Sequence, residues 1–479
     1  MNYSMISYVI GWILNFEAGF MILPCITAAV YREAQGWTFV AAMIICLLIG
    51  IPLTLRKPKN KVFYIREGFV TVAMSWIVIS IMGAVPFVLS GSIPNVIDAL
   101  FETVSGFTTT GASILSDVEA LPYCMLFWRS FTHWIGGMGI LVFVLSILPL
   151  SGGYHMNLMK AESPGPSVSK LVPKVQTTAK ILYGIYIAMT VLEIILLLCG
   201  GMPLFDALTT SFGTAGTGGF GIKNDSMAGY SAYLQNIVTL FMILFGVNFN
   251  VYFLILMRKG KQAVKSEELR YYLGIIGVTI AVIAINIRNV FPTFLECIQH
   301  AAFQVASIIT TTGFATTDFN IWPQVSKTIL VMLMFVGACA GSTGGGIKVS
   351  RFVVLLKTVK KELYQFVHPR SVRKVAMDGK PVEHEVVRSI NVFLITYVMV
   401  FSFSVLLIGL DNHDLTTNFT AVAATLNNIG PGLELVGPTQ NFSIFSGGAK
   451  LVLIFDMLAG RLELFPLLLM FVPRVWKKF

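Results

Sequence analysis

Four short stretches of this 479-residue chain could do chemistry of one kind: taking the water from an alkali cation and replacing it with neutral oxygen. They read DALFETVSGFTTTGAS (98–113), DALTTSFGTAGTGGFG (206–221), HAAFQVASIITTTGFA (300–315) and TNFTAVAATLNNIGPG (417–432). They align on Gly111, Gly219, Gly313 and Gly430, and each opens thirteen residues before its glycine. Each begins as a short amphipathic run, too short to span a bilayer, and ends in a strip of small or polar residues. Threonine hydroxyls and peptide carbonyls supply oxygen without charge, and glycine admits the backbone angles such a strip needs. A ring of neutral oxygens can stand in for the water shell of a monovalent cation. One strip alone reads as readily as a tight helix contact or an ordinary loop; four in one register do not.

Little else in the chain offers chemistry. The six cysteines (Cys25, Cys46, Cys124, Cys199, Cys297, Cys339) and six histidines are scattered, with no CxxC and no His/Cys cluster, so no metal site is suggested. Nothing resembles a Ser-His-Asp set or a Walker loop, and an intramembrane enzyme would need Asp, His or Cys clustered on facing helices. The chain therefore reads as a non-enzyme with no bound organic cofactor.

The elements that must hold the strips are membrane helices. The chain is 55% hydrophobic and only 12% charged, with a mean hydropathy of +0.77; a soluble chain carries about twice that charge. Ten full spans are predicted, at 8–31, 37–55, 69–90, 129–149, 180–200, 233–256, 271–290, 325–347, 388–410 and 447–473, each near the 20 residues a hydrocarbon core requires. The first reads as a span, not a cleaved signal peptide, for its apolar part is long and no basic region precedes it. Basic residues crowd 56–66, 160–180, 258–270, 348–388 and 474–478, which together hold 27 of the 34 Lys and Arg. By the positive-inside rule these loops and both termini are cytoplasmic. The net charge of +10 is then a topology signal and needs no nucleic acid.

The last eight spans form four copies of one unit, all in one orientation, and the first two stand outside it. Non-helical backbone survives at membrane depth only when buried in protein or lining a cavity. Four copies around one axis satisfy that condition, with half-helix C-termini, each roughly half a negative charge, turned toward the cation. The expected fold is an all-α integral membrane protein with two leading transmembrane helices plus four helix–pore-loop–helix repeats, pseudo-fourfold around one pore. The divisions are a leading pair at 1–60 and repeats at 61–155, 156–262, 263–362 and 363–479.

Two features occur once. GACAGSTGGGIK (337–348) carries five glycines within ten residues, which would break a helix at up to about 1 kcal/mol each. It reads as a flexible intramembrane loop under the strips, or as a glycine-rich helix contact. Arg461 lies in the last span, where a charge costs roughly 2.5–3.5 kcal/mol. It stands as far beyond Gly430 as Gly344 stands beyond Gly313, so arginine and loop share a depth if the outer linkers match in length. Arg461 is expected to be a cationic barrier held by loop carbonyls, or else a structural ion pair with Glu463 or Asp456. Asn248 and Asn250 read as bonds between helices or cavity lining. Glu193 and Glu17 read as helix–helix anchors, or as proton sites. Asp98, Glu102, Asp117, Asp206, Asp225, Asp318, Asp411, Asp414 and Glu434 give the outer face an acidic bias. The basic stretch 357–374 is a candidate docking surface for a cytoplasmic partner.

These motifs resemble those of the TrkH branch of the Trk/Ktr/HKT superfamily. The resemblance spans essentially the whole chain and rests on the four strips, GGMGI (136–140), GSTGGGIKVSR (341–351), NNIGPG (427–432) and GRLE (460–463). The extra leading pair of spans is similar to TrkH and unlike the shorter KtrB branch. The resemblance implies channel-like potassium uptake in the bacterial plasma (inner) membrane by a multi-pass homodimer, gated by a cytoplasmic TrkA-type nucleotide-binding ring. It implies a potassium filter of Thr109, Thr110, Gly111 and Ala112; Thr217, Gly218, Gly219 and Phe220; Thr311, Thr312, Gly313 and Phe314; and Asn428, Ile429, Gly430 and Pro431. It implies a gate of Gly341, Ser342, Thr343, Gly344, Gly345, Gly346 and Arg461. Only one glycine is common to all four strips, and the second and fourth lack a threonine run. A potassium/proton or potassium/sodium symporter and a sodium-permeable channel on the same scaffold are the alternatives.

Overall fold

The computed structural model describes residues 1–58, 64–139, 175–371 and 373–476. Helices α1 (Tyr3–Phe20) and α2 (Ile22–Tyr31) form one apolar rod, and α3 (Gly36–Leu55) returns beside α1. Glycine permits that approach: a Cβ on Gly11 would lie 2.7 Å from Leu53 Cβ and 3.0 Å from the Gly50 carbonyl oxygen.

Four units follow, each with a first helix, a half-helix and a second helix. The first has α4 (Ile65–Leu89), α5 (Val96–Phe107) and α6 (Tyr123–Gly137). The second has α7 (Val175–Cys199), α8 (Leu204–Gly216) and α9 (Ala232–Phe245), continued by α10 (Phe249–Leu256). After a short α11 (Gly260–Lys265), the third has α12 (Glu267–Asn286), α13 (Phe294–Ile309) and α14 (Gln324–Val336), with α15 (Val349–Val367) beyond an irregular loop. The fourth has α16 (His384–Ile408), α17 (Leu415–Leu426), α18 (Gly447–Arg461) and α19 (Phe465–Leu469). A two-residue-per-strand hairpin, β1 (Ala376–Met377) and β2 (Lys380–Pro381), interrupts the basic stretch before α16. Asp378 and Gly379 both have positive φ, as a tight antiparallel turn requires.

Each half-helix packs on the second helix of the preceding unit: α8 on α6, α13 on α9, α17 on α14, and α5 on α18. The last pairing closes the cycle, which is rotational pseudo-symmetry expressed as contacts. The half-helices start where the chain supplies caps. Asn95 Oδ1 accepts from Ile97 N, Thr293 Oγ1 from Glu296 N and Asp414 Oδ1 from Thr417 N, satisfying amides a helix start leaves free. Asp98, Asp206 and Glu296 in their first turns complement the positive dipole end.

The ten predicted spans are not all continuous helices. Among the described residues six helices are long and apolar enough to cross a membrane, or seven if α9 and α10, bent by 89°, count as one. The predicted span 233–256 is that bent pair, 325–347 is helical only to Val336, and 447–473 breaks between α18 and α19. The later part of 129–149, Ile140 of GGMGI and the basic segment 160–174 lie outside the described residues, as do Lys59, Lys61, Lys477 and Lys478. The break after Val336 falls at the glycine-rich segment, as its composition predicts. Those at 246–248 and 462–464 are short polar interruptions that long apolar flanks outweigh in a hydropathy average. The freed backbone groups bond to each other: Cys339 N donates to Gly246 O at 3.0 Å and Phe249 N to Gly341 O at 3.0 Å. Such mutual satisfaction lets irregular backbone persist inside a membrane protein.

Candidate functional site

The half-helices end because the next residues change handedness. Thr109, Thr217, Thr311 and Asn428 adopt left-handed φ of 54–60°. Two residues on, Gly111, Gly219, Gly313 and Gly430 are again at positive φ (76–102°), with negative φ between. Alternating handedness turns successive peptide groups to one side.

The strips close into a ring. A Cβ on Gly111 would overlap the carbonyl oxygen of Gly218; on Gly219, that of Thr312; on Gly313, that of Ile429. A Cβ on Gly430 would lie 2.9 Å from the carbonyl oxygen of Thr110. Each glycine therefore abuts the residue that precedes the glycine of a neighbouring unit, and the fourth returns to the first. No side chain larger than hydrogen fits these four positions. A cavity of about 160 Å³ opens beside the ring, lined by all four glycines with Ala112 and Pro431. Hydroxyls stitch two strips internally: Thr108 to Thr110 and Thr310 to Thr312, each Oγ1–Oγ1 at 2.8 Å. Asn428 Nδ2 reaches Thr110 Oγ1 at 2.9 Å and Met457 O at 2.9 Å. The rings of Phe220 and Phe314 turn behind the strips, onto His133 and toward Gly213, so those two residues offer the ring only backbone.

The glycine-rich segment lies against the half-helix ends. A Cβ on Gly344 would sit 2.9 Å from Thr310 O, and one on Gly345 would overlap Asn427 O. Gly345 N donates to Thr311 Oγ1 at 2.6 Å and Gly346 N to Asn427 O at 3.1 Å. Thr343 Oγ1 reaches Phe245 O at 3.3 Å, and Ser342 Oγ turns back to Cys339 O at 2.7 Å. Gly337, Gly341 and Gly346 take positive φ, which ends the helix at Val336 and folds the segment. Its two ends are gathered by Glu268 of α12, whose Oε1 accepts from Ala340 N at 2.7 Å and Ser350 N at 3.2 Å.

Arg461 reaches this loop. Nη1 donates to Thr343 O at 2.9 Å, and Nη2 to Gly137 O at 2.8 Å and to Gly136 O. It thus spans from the end of α6 to the loop. The equal-linker premise fails, for α18 starts seventeen residues after its glycine whereas α14 starts eleven after its own. The Arg461 guanidinium meets the loop all the same. The expected alternative partners are engaged elsewhere: Glu463 with Arg351, and Asp456 with Ser404 Oγ at 2.6 Å.

Other expectations change. Asn248 caps α10, accepting from Asn250 N at 2.9 Å, and its side chain also bonds to Glu268 of α12, so it does link two helices. Glu17 is buried without a hydrogen bond to either carboxylate oxygen among the described residues, whereas buried Glu193 of α7 faces the Thr214 hydroxyl of α8, as a helix anchor would. Glu102 does not belong to the outer acidic set. It is 1% exposed and paired with Arg129 Nε at 2.6 Å. Several of the others are structural: Asp98 pairs with Lys450 at 2.6 Å, Asp411 accepts from Ser446, and Asp206 from Tyr230 at 2.8 Å. Arg129, His133 and Glu268 were not singled out by sequence reasoning. For Arg129 and His133 the available signal was a charge and an imidazole inside an apolar span; Glu268 lies just before one, in the basic stretch 258–270.

Comparison with known proteins places this architecture. The TrkH family, described as cation transport proteins, matches residues 35–298 and 296–478. The chain is 37% identical to the Trk system potassium uptake protein TrkH of Salmonella typhimurium and 38% to that of Escherichia coli K12, over the full length of each. The crystal structure of the potassium transporter TrkH from Vibrio parahaemolyticus superposes with a TM-score of 0.90, at 33% identity, over the whole of both chains. The chain is therefore a multi-pass transporter, not an enzyme, and it belongs to the TrkH family of cation transport proteins.

Proposed function

We propose that this chain is the potassium-translocating subunit of a bacterial Trk uptake system, working as a channel-like pore. The observation that carries the reading is the closed ring of strips, in which each unit's glycine abuts a carbonyl of its neighbour. Peptide oxygens so arranged replace the hydration shell of a dehydrated cation without charge, and the half-helix C-termini add negative potential. The residues in that role are Thr109–Ala112, Thr217–Phe220, Thr311–Phe314 and Asn428–Pro431.

Beneath the ring, Gly341–Gly346 and Arg461 form the gate. The loop carbonyls hold the guanidinium, and the guanidinium repels cations until the loop moves. Potassium flows downhill, and no organic cofactor is needed for the passage. The active unit is a homodimer in the bacterial inner membrane with both termini cytoplasmic. A TrkA-type nucleotide-binding ring docks on the basic stretch 357–374 and drives the loop. The leading pair ends near residue 60, and the repeats divide near 155, 262 and 362.

Uptake of potassium and sodium by cells lacking their own potassium importers tests the reading. The native chain should restore growth at low potassium, and Gly111→Ser should lose potassium preference. Unchanged preference in Gly111→Ser would reject the filter assignment.

A further inference from the structure

The second strip differs from the others in how it is held. It runs Thr217-Gly218-Gly219-Phe220-Gly221, with three glycines in five residues. It lacks the Thr–Thr stitch of strips one and three and the Asn428 link of strip four; Thr217 Oγ1 only turns back to Gly216 O at 2.6 Å. Left to itself, such backbone is the most mobile of the four.

It is held from outside, by α6 of the first unit. His133 Nδ1 lies 2.7 Å from Gly106 O, and Nε2 accepts from Phe220 N at 3.2 Å. A carbonyl can only accept, so Nδ1 carries the proton and the imidazole joins the end of α5 to strip two as a neutral bridge. One turn earlier, Arg129 Nη1 donates to Gly221 O at 2.8 Å, and its guanidinium lies 3.5 Å from the centre of the Phe220 ring. Arg129 is fixed by Glu102, whose other bonds hold Ser113 Oγ at 2.9 Å and Ile114 N at 3.0 Å, just beyond strip one. Arg129, His133 and Glu102 are each at most 4% exposed. A Cβ on Gly218 would overlap the His133 ring, so strip and imidazole are fitted to each other.

The arrangement is built once. Counted from the start of each second helix, Arg129 and His133 correspond to Val238 and Met242, Leu330 and Met334, and Leu453 and Met457. All six are fully buried and apolar. Counted back from the filter glycine, Glu102 corresponds to Thr210, Gln304 and Ala421. Packing alone thus supports three second helices at these positions, and the first carries a buried charge pair and an imidazole instead. Buried ionic groups are seldom a net gain in stability, and one use for them is to specify a geometry.

We propose that Glu102, Arg129 and His133 are positioning residues for ion selection: a polar brace by which the first unit sets the orientation of the second unit's carbonyls. The inference rests on reading the ring as the ion filter. Its content is that selectivity depends on side chains that touch no ion.

The test uses the full chain in proteoliposomes, with rubidium tracer uptake competed by potassium or sodium, at equal amounts of inserted protein. His133→Met installs the apolar residue of the other units. Glu102→Gln/Arg129→Gln removes the charge pair without changing net charge. Each should reduce potassium-over-sodium preference about tenfold, the scale of one lost buried hydrogen bond. His133→Gln, whose side-chain oxygen can still accept from Phe220 N, should stay within about threefold of native. Potassium-dependent thermal stabilisation of detergent-purified protein should weaken in parallel, a readout for any variant that inserts poorly. Gly111→Ser is the control in the same assay. If it alters preference while His133→Met and the double variant do not, the brace is refuted and the filter stands. If none alters preference, both readings fall.

Discussion

Replacing Arg461 by alanine removes one restraint from the loop and leaves the ring untouched. Arg461 donates a hydrogen bond to the loop, to Thr343 O at 2.9 Å. A hydrogen bond from a charged donor contributes about 1.5–3 kcal/mol. The loop keeps its bonds to Thr311, Asn427 and Phe245, so it is loosened and not unfolded. That loss moves a closed-to-open equilibrium by about 10- to 150-fold toward open. The assay is tracer rubidium uptake into proteoliposomes without any cytoplasmic partner, normalised to inserted protein. Influx should rise at least about tenfold, with potassium-over-sodium competition unchanged because the bonds described for Arg461 go to Thr343, Gly136 and Gly137, outside the strips. Arg461→Lys keeps the charge but not the two-armed reach to both Thr343 and the Gly136–Gly137 carbonyls, and should fall between. Influx in Arg461→Ala at or below the native rate would refute the barrier and the loop restraint together.

Glu268→Ala leaves Ala340 N and Ser350 N without their acceptor, at about 1–3 kcal/mol each, so basal flux should rise; Glu268→Gln keeps an acceptor oxygen and should stay near native in the same flux assay. Asp414→Ala removes the cap of α17, which should destabilise the fourth half-helix by about 1 kcal/mol and lower the melting temperature of purified protein by about 1–2 °C. On the face opposite the basic loops, the Asn224 side chain donates to Asp117 at 2.8 Å and holds its carboxyl below the usual carboxylate range. A lowered folded value stabilises the folded state above the ordinary value of about 3.9 and is lost as pH falls through the folded value. The link between the first and second outer linkers should therefore be at full strength above about pH 4 and weaken as pH falls further, through the folded value, read by protease nicking near 113–121, and Asp117→Asn should flatten that dependence.

Much of the site is local and so is written in the chain. Gly111, Gly219, Gly313 and Gly430 each follow a half-helix by three or four residues, because a strip that needs positive φ next to a neighbour's carbonyl admits no other residue. The glycine cluster at 337–346 is equally visible, since five helix breakers in an apolar run admit few readings. Spans and their polarity follow from hydropathy and charge.

What the folded chain alone decides is which distant groups meet. Glu102 looks like one more acid on the outer face until α6 carries Arg129 across it, 27 residues away, and on to Gly221, 92 residues away. Glu463 and Asp456 are the near neighbours of Arg461, yet its guanidinium bonds to carbonyls of the first and third units, because α18 meets the glycine loop and the end of α6 in space. The bend at Gly246–Asn248 leaves no mark on hydropathy; it exists because the loop of the third unit supplies the missing backbone partners. Composition and spacing thus settle which segments are helical, apolar or unwound, since those are properties of a residue and its near neighbours. Partners for a buried charge or a broken helix belong to the closure of four units around one axis, which no single segment contains.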